Sequence, residues 1–214
     1  MLAGILTGIL PALFCVTFHE YCHGLAAYLL GDNTAKERGR LTLNPLRHID
    51  PLGLIMMAAV HFGWAKPVPV NMTHFQNPKR GMALTALAGP LGNLFSGLLA
   101  LFLYGFSFPF FKGSFFGRAV LDILNTTAFM SVSLAVFNCL PIPPLDGSKV
   151  LFSVLPDRAY ARLMSIERYG MLILLALIGL DVLSGPLSDA VGSVYKFLFP
   201  LADWGYSFAR LIHG

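Results

Sequence analysis

Charge is what this sequence has least of. Asp, Glu, Lys and Arg make up 12% of its 214 residues, about half of the roughly 25% usual in soluble domains. That excludes a water-soluble monomer, because too few polar side chains are present to cover a surface. With 56% hydrophobic residues and a mean hydropathy of +0.67, intrinsic disorder is excluded as well, since it requires low hydrophobicity and high net charge. Cysteine is scarce too. Three residues make no disulfide framework, and Cys15, Cys22 and Cys139, all in apolar surroundings, read as reduced, buried thiols. The net charge of +4 comes from basic residues placed singly or in pairs between apolar stretches, so no nucleic-acid footprint exists. No basic residue precedes the first apolar run, and the first lysine is Lys36, so that run is not a cleavable signal peptide. What remains is a compact polytopic membrane protein.

The long apolar runs set its plan. Leu2 to Leu30 carries only His19, Glu20 and His23 as strongly ionisable groups, and a helix of that length, about 43 Å, spans a hydrocarbon core of about 30 Å with Pro11 kinking it. Met82 to Phe108 has no charge, and Ala119 to Leu140 has only Asp122. A fourth run extends from Tyr169 to Leu183, with Asp181 near its end. The tail, Pro186 to His213, mixes Asp189, Lys196, Asp203 and Arg210 with aromatic residues; it reads as an interfacial amphipathic helix or a short, tilted span. Pro51 to Ala65 is apolar but shorter than a spanning helix needs, which marks it as re-entrant or packed inside the protein. Arg40 to Asp50, with turn punctuation at Asn44-Pro45, reads as a short hairpin beside it, and Lys66 to Val70, with Pro67 and Pro69, as extended. The expected fold is an all-α polytopic membrane protein of about four to six transmembrane helices, with a re-entrant or β-hairpin region between the first and second clear spans. A single domain is expected over 1–214, its core in 1–150 and C-terminal helices in 151–214.

Orientation follows from the basic residues. Residues 31 to 81 hold seven and residues 141 to 168 hold four, against two in the loop at Lys112 to Arg118 and two in the tail. Both richer regions are therefore expected in the cytoplasm and the amino terminus outside.

The chemistry is concentrated in His19-Glu20-Tyr21-Cys22-His23, near the cytoplasmic end of the first span. Residues four apart share a helix face, so His19 and His23 can aim both imidazoles at one metal, with Glu20 placed to accept a proton from a metal-bound water. Zinc suits this set, because catalytic zinc takes imidazole and carboxylate ligands and keeps a position for water whose pKa it lowers to about 7. In a bilayer each buried ionisable group is costly unless partnered, and three within five residues point to a shared cation. A third ligand is expected at the same depth. Asp146, in Asn138-Cys139-Leu140-Pro141-Ile142-Pro143-Pro144-Leu145-Asp146-Gly147, fits by parity: if Pro51 to Ala65 does not cross, the third clear span returns Asp146 to the face where the histidines lie. The prolines before it break the helix, and irregular backbone at membrane depth is tolerated where it is buried or lines a watery cavity. His48, His61, His74 and His213 lack an i, i+4 partner and read as loop, interfacial or tail residues.

Three motifs in this order, His19-Glu20-x-x-His23, Gly89-Pro90-Leu91-Gly92-Asn93 and Asn138 to Gly147 ending in Leu-Asp-Gly, resemble the signatures of the site-2 proteases, intramembrane zinc metalloproteases. The resemblance covers roughly residues 10 to 150. It implies Zn2+ on His19, His23 and Asp146, Glu20 as general base and acid, and a transmembrane-segment protein as substrate within the lipid bilayer. It also implies that Asn93 faces the site and holds substrate or polarises its carbonyl; an interhelical hydrogen-bonding amide is the alternative. No stretch is long or polar enough for the PDZ or CBS domain many members carry, so the chain resembles a minimal form. A multi-pass protein of a bacterial or archaeal cell membrane is expected, with its active site toward the cytoplasm. An extended edge within Arg40 to Val70 would let an unwound substrate pair by strand addition, an expectation refuted if scrambling Thr42 to Arg47 leaves cleavage untouched in folded protein. The rival function is a transporter or channel using the His/Glu cluster as a metal or proton path, but no inverted repeat or pair of matching broken helices supports it. A catalytically silent scaffold would have no need of Glu20 beside the metal.

Overall fold

The computed structural model describes residues 2–60 and 63–213. Its α-helices, in order, are α1 (Leu2–Leu29), α2 (Thr34–Glu37), α3 (Pro51–Val60), α4 (Pro78–Phe111), α5 (Phe115–Asn138), α6 (Asp146–Ser153), α7 (Asp157–Glu167), α8 (Gly170–Gly179), α9 (Ser184–Leu198) and α10 (Pro200–His213). The all-helical expectation holds. Among the described residues two helices, α4 and α5, are long and apolar enough to cross a membrane, and a third span exists if α8 and Ser184–Ile212, bent by 92°, count as one. Helix α1 has the length, 28 residues, but its second half carries the ionisable cluster.

Two expectations on spans are corrected. The run Tyr169 to Leu183 is not one continuous helix: α8 ends after 10 residues, where Asp181 adopts φ +58° and the Val182 N–H bonds back to Leu177 O at 3.1 Å. That is the left-handed helix stop that Asp and Asn tolerate better than most side chains. The hairpin at 40–50 is reduced, among the described residues, to a single antiparallel bridge between Ile49 and Ala65 with the Lys66 N–H bonded to His48 O at 2.9 Å. A ladder cannot extend past it, because Pro67 and Pro69 have no N–H to give. The bridge has a topological consequence. It brings both ends of the 51–65 segment together, and a Cβ on Gly53 would lie 2.1 Å from Trp64 O, so the chain leaves through the 10-residue α3 and comes back to where it started.

By contacts the chain forms two units. One comprises Met1–Cys15, Asn93–Phe137 and Ala176–Gly214. In it α4 and α5 pack closely at Gly97, where a Cβ would sit 3.2 Å from Val132, and a buried file of hydroxyls joins Ser96 to Ser131 (3.0 Å) and Ser131 to the Cys15 thiol (3.1 Å). The tail is packed along this bundle. Gly105 on α4 and Gly205 on α10 let the two backbones touch: a Cβ on either would fall 1.8 Å from Ala202 O or 2.1 Å from Phe102 O. Tyr195 on α9 donates to Asn125 of α5 at 2.7 Å. Close approach through small residues is how helices associate where lipid replaces water.

The other unit comprises Val16–Gly92 and Asn138–Leu175. Here α1 stops at Gly31, φ +105°, with the Asp32 N–H reaching back to Ala27 O at 2.9 Å. Asp32, fully buried, then ties the chain beyond it. Its carboxylate accepts from the Thr34 N–H (3.0 Å) and hydroxyl, from the Asn71 N–H (2.7 Å) and from His74 Nδ1 (2.8 Å). Burial pushes the Asp32 carboxyl up, but these hydrogen bonds from Thr34, Asn71 and His74 outweigh it and hold it below the ordinary aspartate range.

Of the cysteines, Cys15 is buried, as expected, whereas Cys22 is half-buried and Cys139 is exposed at the turn leaving α5; all three are free. His48 lies in a turn, as expected of a loop residue, but it is buried, 2% exposed, and its Nε2 bonds Thr42 O at 2.9 Å. His61 lies outside the described residues.

Candidate metal centre

Helix α1 carries His19 and His23 one turn apart on one face, with their rings edge to face at 88° and centroids 4.4 Å apart. The chain returns to them at Asp146, the first residue of α6. Its carboxylate Oδ2 lies 3.1 Å from His19 Nε2 and 3.2 Å from His23 Nε2, and the two Nε2 atoms are 2.9 Å apart. All three residues are at most 9% exposed. Among the described residues these are the one group of three or more ligating side chains, with all ligand atoms within 4.8 Å of one another.

The local sequence explains why Asp146 arrives there. The Pro141 to Pro144 stretch prevents α5 from continuing, and the Leu145 N–H closes a turn onto Ile142 O at 2.8 Å. Ser148 then donates its hydroxyl to Leu145 O at 2.7 Å. Gly147 is required by the close approach, since a Cβ there would lie 2.3 Å from Cys139 O. On the opposite side the Gly89 position of α4 forms a floor under the rings: a Cβ would fall 2.4 Å from His23 Nε2 and 2.6 Å from His19 Cε1. Gly92, one turn on, leaves room for the Cys22 thiol in the same way, at 2.3 Å.

These residues fit a zinc ion. His23 Nδ1 lies 2.7 Å from the Thr85 carbonyl, which can only accept, so Nδ1 carries the proton and the Nε2 lone pair faces the centre. Zinc bonds of about 2.0 to 2.2 Å in tetrahedral array separate their donor atoms by about 3.3 Å. The observed separations of 2.9 to 3.2 Å require only a small opening. Two imidazoles and one carboxylate are a donor set of the open, catalytic kind.

Glu20 is half-buried, and its Oε2 accepts the Val68 N–H at 2.8 Å. The segment that supplies this bond, 66–71, has no regular secondary structure, and it is bonded inward. Lys66 N–H goes to His48 O, Lys66 O and Pro67 O are taken by Arg40, and the Asn71 N–H by Asp32. Asn93 is fully buried on α4, one helical turn beyond Gly89. The sequence reading missed Thr85, Gly89, Val68 and Arg40 as supports. Gly89 had a signal in the Gly-Pro-Leu-Gly-Asn motif; Thr85 and Val68 act through backbone atoms, which any residue type provides.

The comparisons with known proteins concern the family. The model of Peptidase family M50 matches residues 7–179. "Putative zinc metalloprotease YwhC" of Bacillus subtilis (strain 168) is 36% identical over 167 residues, covering 75% of this chain and 74% of that protein. "Putative zinc metalloprotease Rip2" of Mycolicibacterium smegmatis (strain ATCC 700084 / mc(2)155) is 30% identical over 206 residues, 92% of this chain and 71% of that protein. Rip2 of Mycobacterium tuberculosis (strain ATCC 25618 / H37Rv), similarly named, is 32% identical over 179 residues, 81% of this chain and 66% of that protein. No solved structure matches at a significant level. With the family motifs in order over most of its length and a donor set that fits zinc, the chain belongs to Peptidase family M50, the site-2 protease family of zinc metalloproteases.

Proposed function

We propose that the protein is an intramembrane endopeptidase that hydrolyses peptide bonds within or near transmembrane segments of membrane-protein substrates. In this reading residues 1–214 act as one membrane-embedded protease domain of four to six spans in a bacterial or archaeal cell membrane, with the amino terminus outside and the site toward the cytoplasm. The observation that carries it is the convergence of His19 and His23 with Asp146, 127 residues along the chain, beside a carboxylate that is not one of the three.

His19, His23 and Asp146 hold the zinc. When bound, the ion supplies Lewis-acid chemistry, making water acidic enough to attack a peptide carbonyl at neutral pH. Glu20 does the proton work. With Oε2 held by the Val68 N–H, its other oxygen is left to take the proton from the attacking water and to return it to the departing amine. Thr85, through its carbonyl, keeps the His23 ring in the tautomer that presents Nε2. Asn93 holds the substrate or polarises its scissile carbonyl. Because the three ligands are buried, a substrate helix must unwind for its backbone to reach them.

Reconstitution with a single-span substrate tests the reading. Glu20→Gln is expected to lower cleavage by a factor on the order of 100 to 10,000, the range for a lost general base, with zinc retained. Undiminished cleavage would remove Glu20 from the mechanism. Asp146→Ala is expected to lower zinc stoichiometry sharply, and an unchanged metal content would exclude it as a ligand.

A further inference from the structure

Arg40 is 8% exposed, yet among the described residues no carboxylate pairs with it. Its Nη2 donates to Lys66 O at 2.7 Å and to Pro67 O at 3.2 Å, while its Nε is buried with no hydrogen-bond partner. A buried cation with an unused donor is costly, so the two bonds it does make require an explanation. Holding the segment in the fold does not provide one, because Lys66 N–H on His48 O and Asn71 N–H on Asp32 already pin it on either side.

What Arg40 adds is local. Pro67 and Pro69 have no N–H, so the Val68 amide is the single donor across these three residues, and it is the one bonded to Glu20 at 2.8 Å. The two carbonyls that Arg40 clamps immediately precede that amide and set the plane and direction in which its N–H points. We propose that Arg40 is a positioning residue for the reaction: it orients the 66–68 backbone so that the Val68 N–H fixes the Glu20 carboxylate at the angle needed for proton transfer. The proposal rests on the reading of Glu20 as the base. Pro67 and Pro69 contribute by stiffening the segment and by removing competing donors.

The experiment uses full-length protein in proteoliposomes with a single-span substrate and measures kcat, KM and zinc content. Arg40→Ala is expected to lower kcat by roughly 10- to 100-fold, the usual effect of losing a supporting contact, with KM and zinc stoichiometry unchanged. Arg40→Lys restores part of the loss, because an ammonium can reach one carbonyl but not span two. Val68→Pro deletes the N–H within a backbone that is already proline-flanked, and it is expected to reproduce the kcat loss. The double variant is expected to be no worse than the more affected single, as for residues acting in one chain. The proposal is overturned if Arg40→Ala raises KM at constant kcat, if zinc is lost, or if the two losses multiply. Where Arg40→Ala does not fold, Val68→Pro decides alone: full kcat overturns the proposal. Glu20→Gln is run alongside, and if that variant stays active it is the assignment of the base that fails, whatever Arg40 does.

Discussion

At the scale of single residues the candidate metal centre depends on an absence as much as on the three side chains proposed as its ligands. Gly89 has no side chain, and the two imidazoles occupy the volume one would fill. Replacing it by Ala would favour the helix by about 1 kcal/mol on propensity alone, but the added methyl would meet His23 Nε2 at 2.4 Å, and the rings cannot retreat from Thr85 and Asp146 without losing their geometry. Displacement of the ligands wins. Gly89→Ala is expected to weaken zinc by about 10- to 100-fold, read by competition with a chelator, with helix content unchanged; wild-type affinity would refute the role. At this scale much was legible. The His19, Glu20 and His23 spacing follows from the helical period, and Asp146 from counting crossings. Val68 and Arg40 were not, because a backbone amide and a buried arginine 26 residues away from its carbonyl partner leave no periodic trace.

At the scale of elements, the sequence patterns read correctly where one force dominates and less well where two compete. Long apolar runs became α4 and α5 within a few residues. The run after Tyr169 did not stay whole, since Asp181 could stop the helix and bond Ser184 locally. In the 40–70 region prolines favour extension but deny the amides a ladder needs, which leaves one bridge in place of a hairpin. The end of α1 is secured by Asp32, which gives a pH-dependent prediction. Its carboxyl sits below the ordinary value of 3.8 when folded, so its contribution is complete above that value and is lost as pH falls through the lower, folded one. Asp32→Asn turns one acceptor into a donor facing other donors and is expected to cost about 1 to 3 kcal/mol at pH 7. Thermal midpoints of the two proteins in detergent should differ by a constant amount down to about pH 4 and converge below it. A gap that widens in acid would contradict the assignment.

At the scale of the whole molecule, eleven of fifteen basic residues fall in 31–81 and 141–168, the regions expected inside. In a variant whose three free cysteines are replaced, Gly113→Cys is expected to react with an impermeant thiol reagent in intact cells, and Arg158→Cys only after lysis. The reverse pattern would invert the topology. The tail was the least legible part, because Gly105 and Gly205 meet only in three dimensions and their contact has no counterpart in local composition. The distance along the chain between the parts of the metal centre also orders events in time. Ribosomes add about 5 to 20 residues per second, so the 127 residues between His19 and Asp146 take roughly 6 to 25 seconds to make. During that interval the two histidines are present without their carboxylate, and the donor set closes only after α4 and α5 have been synthesised. The order of synthesis thus acts as a timer: the chain's first five helices are made before the donor set can close.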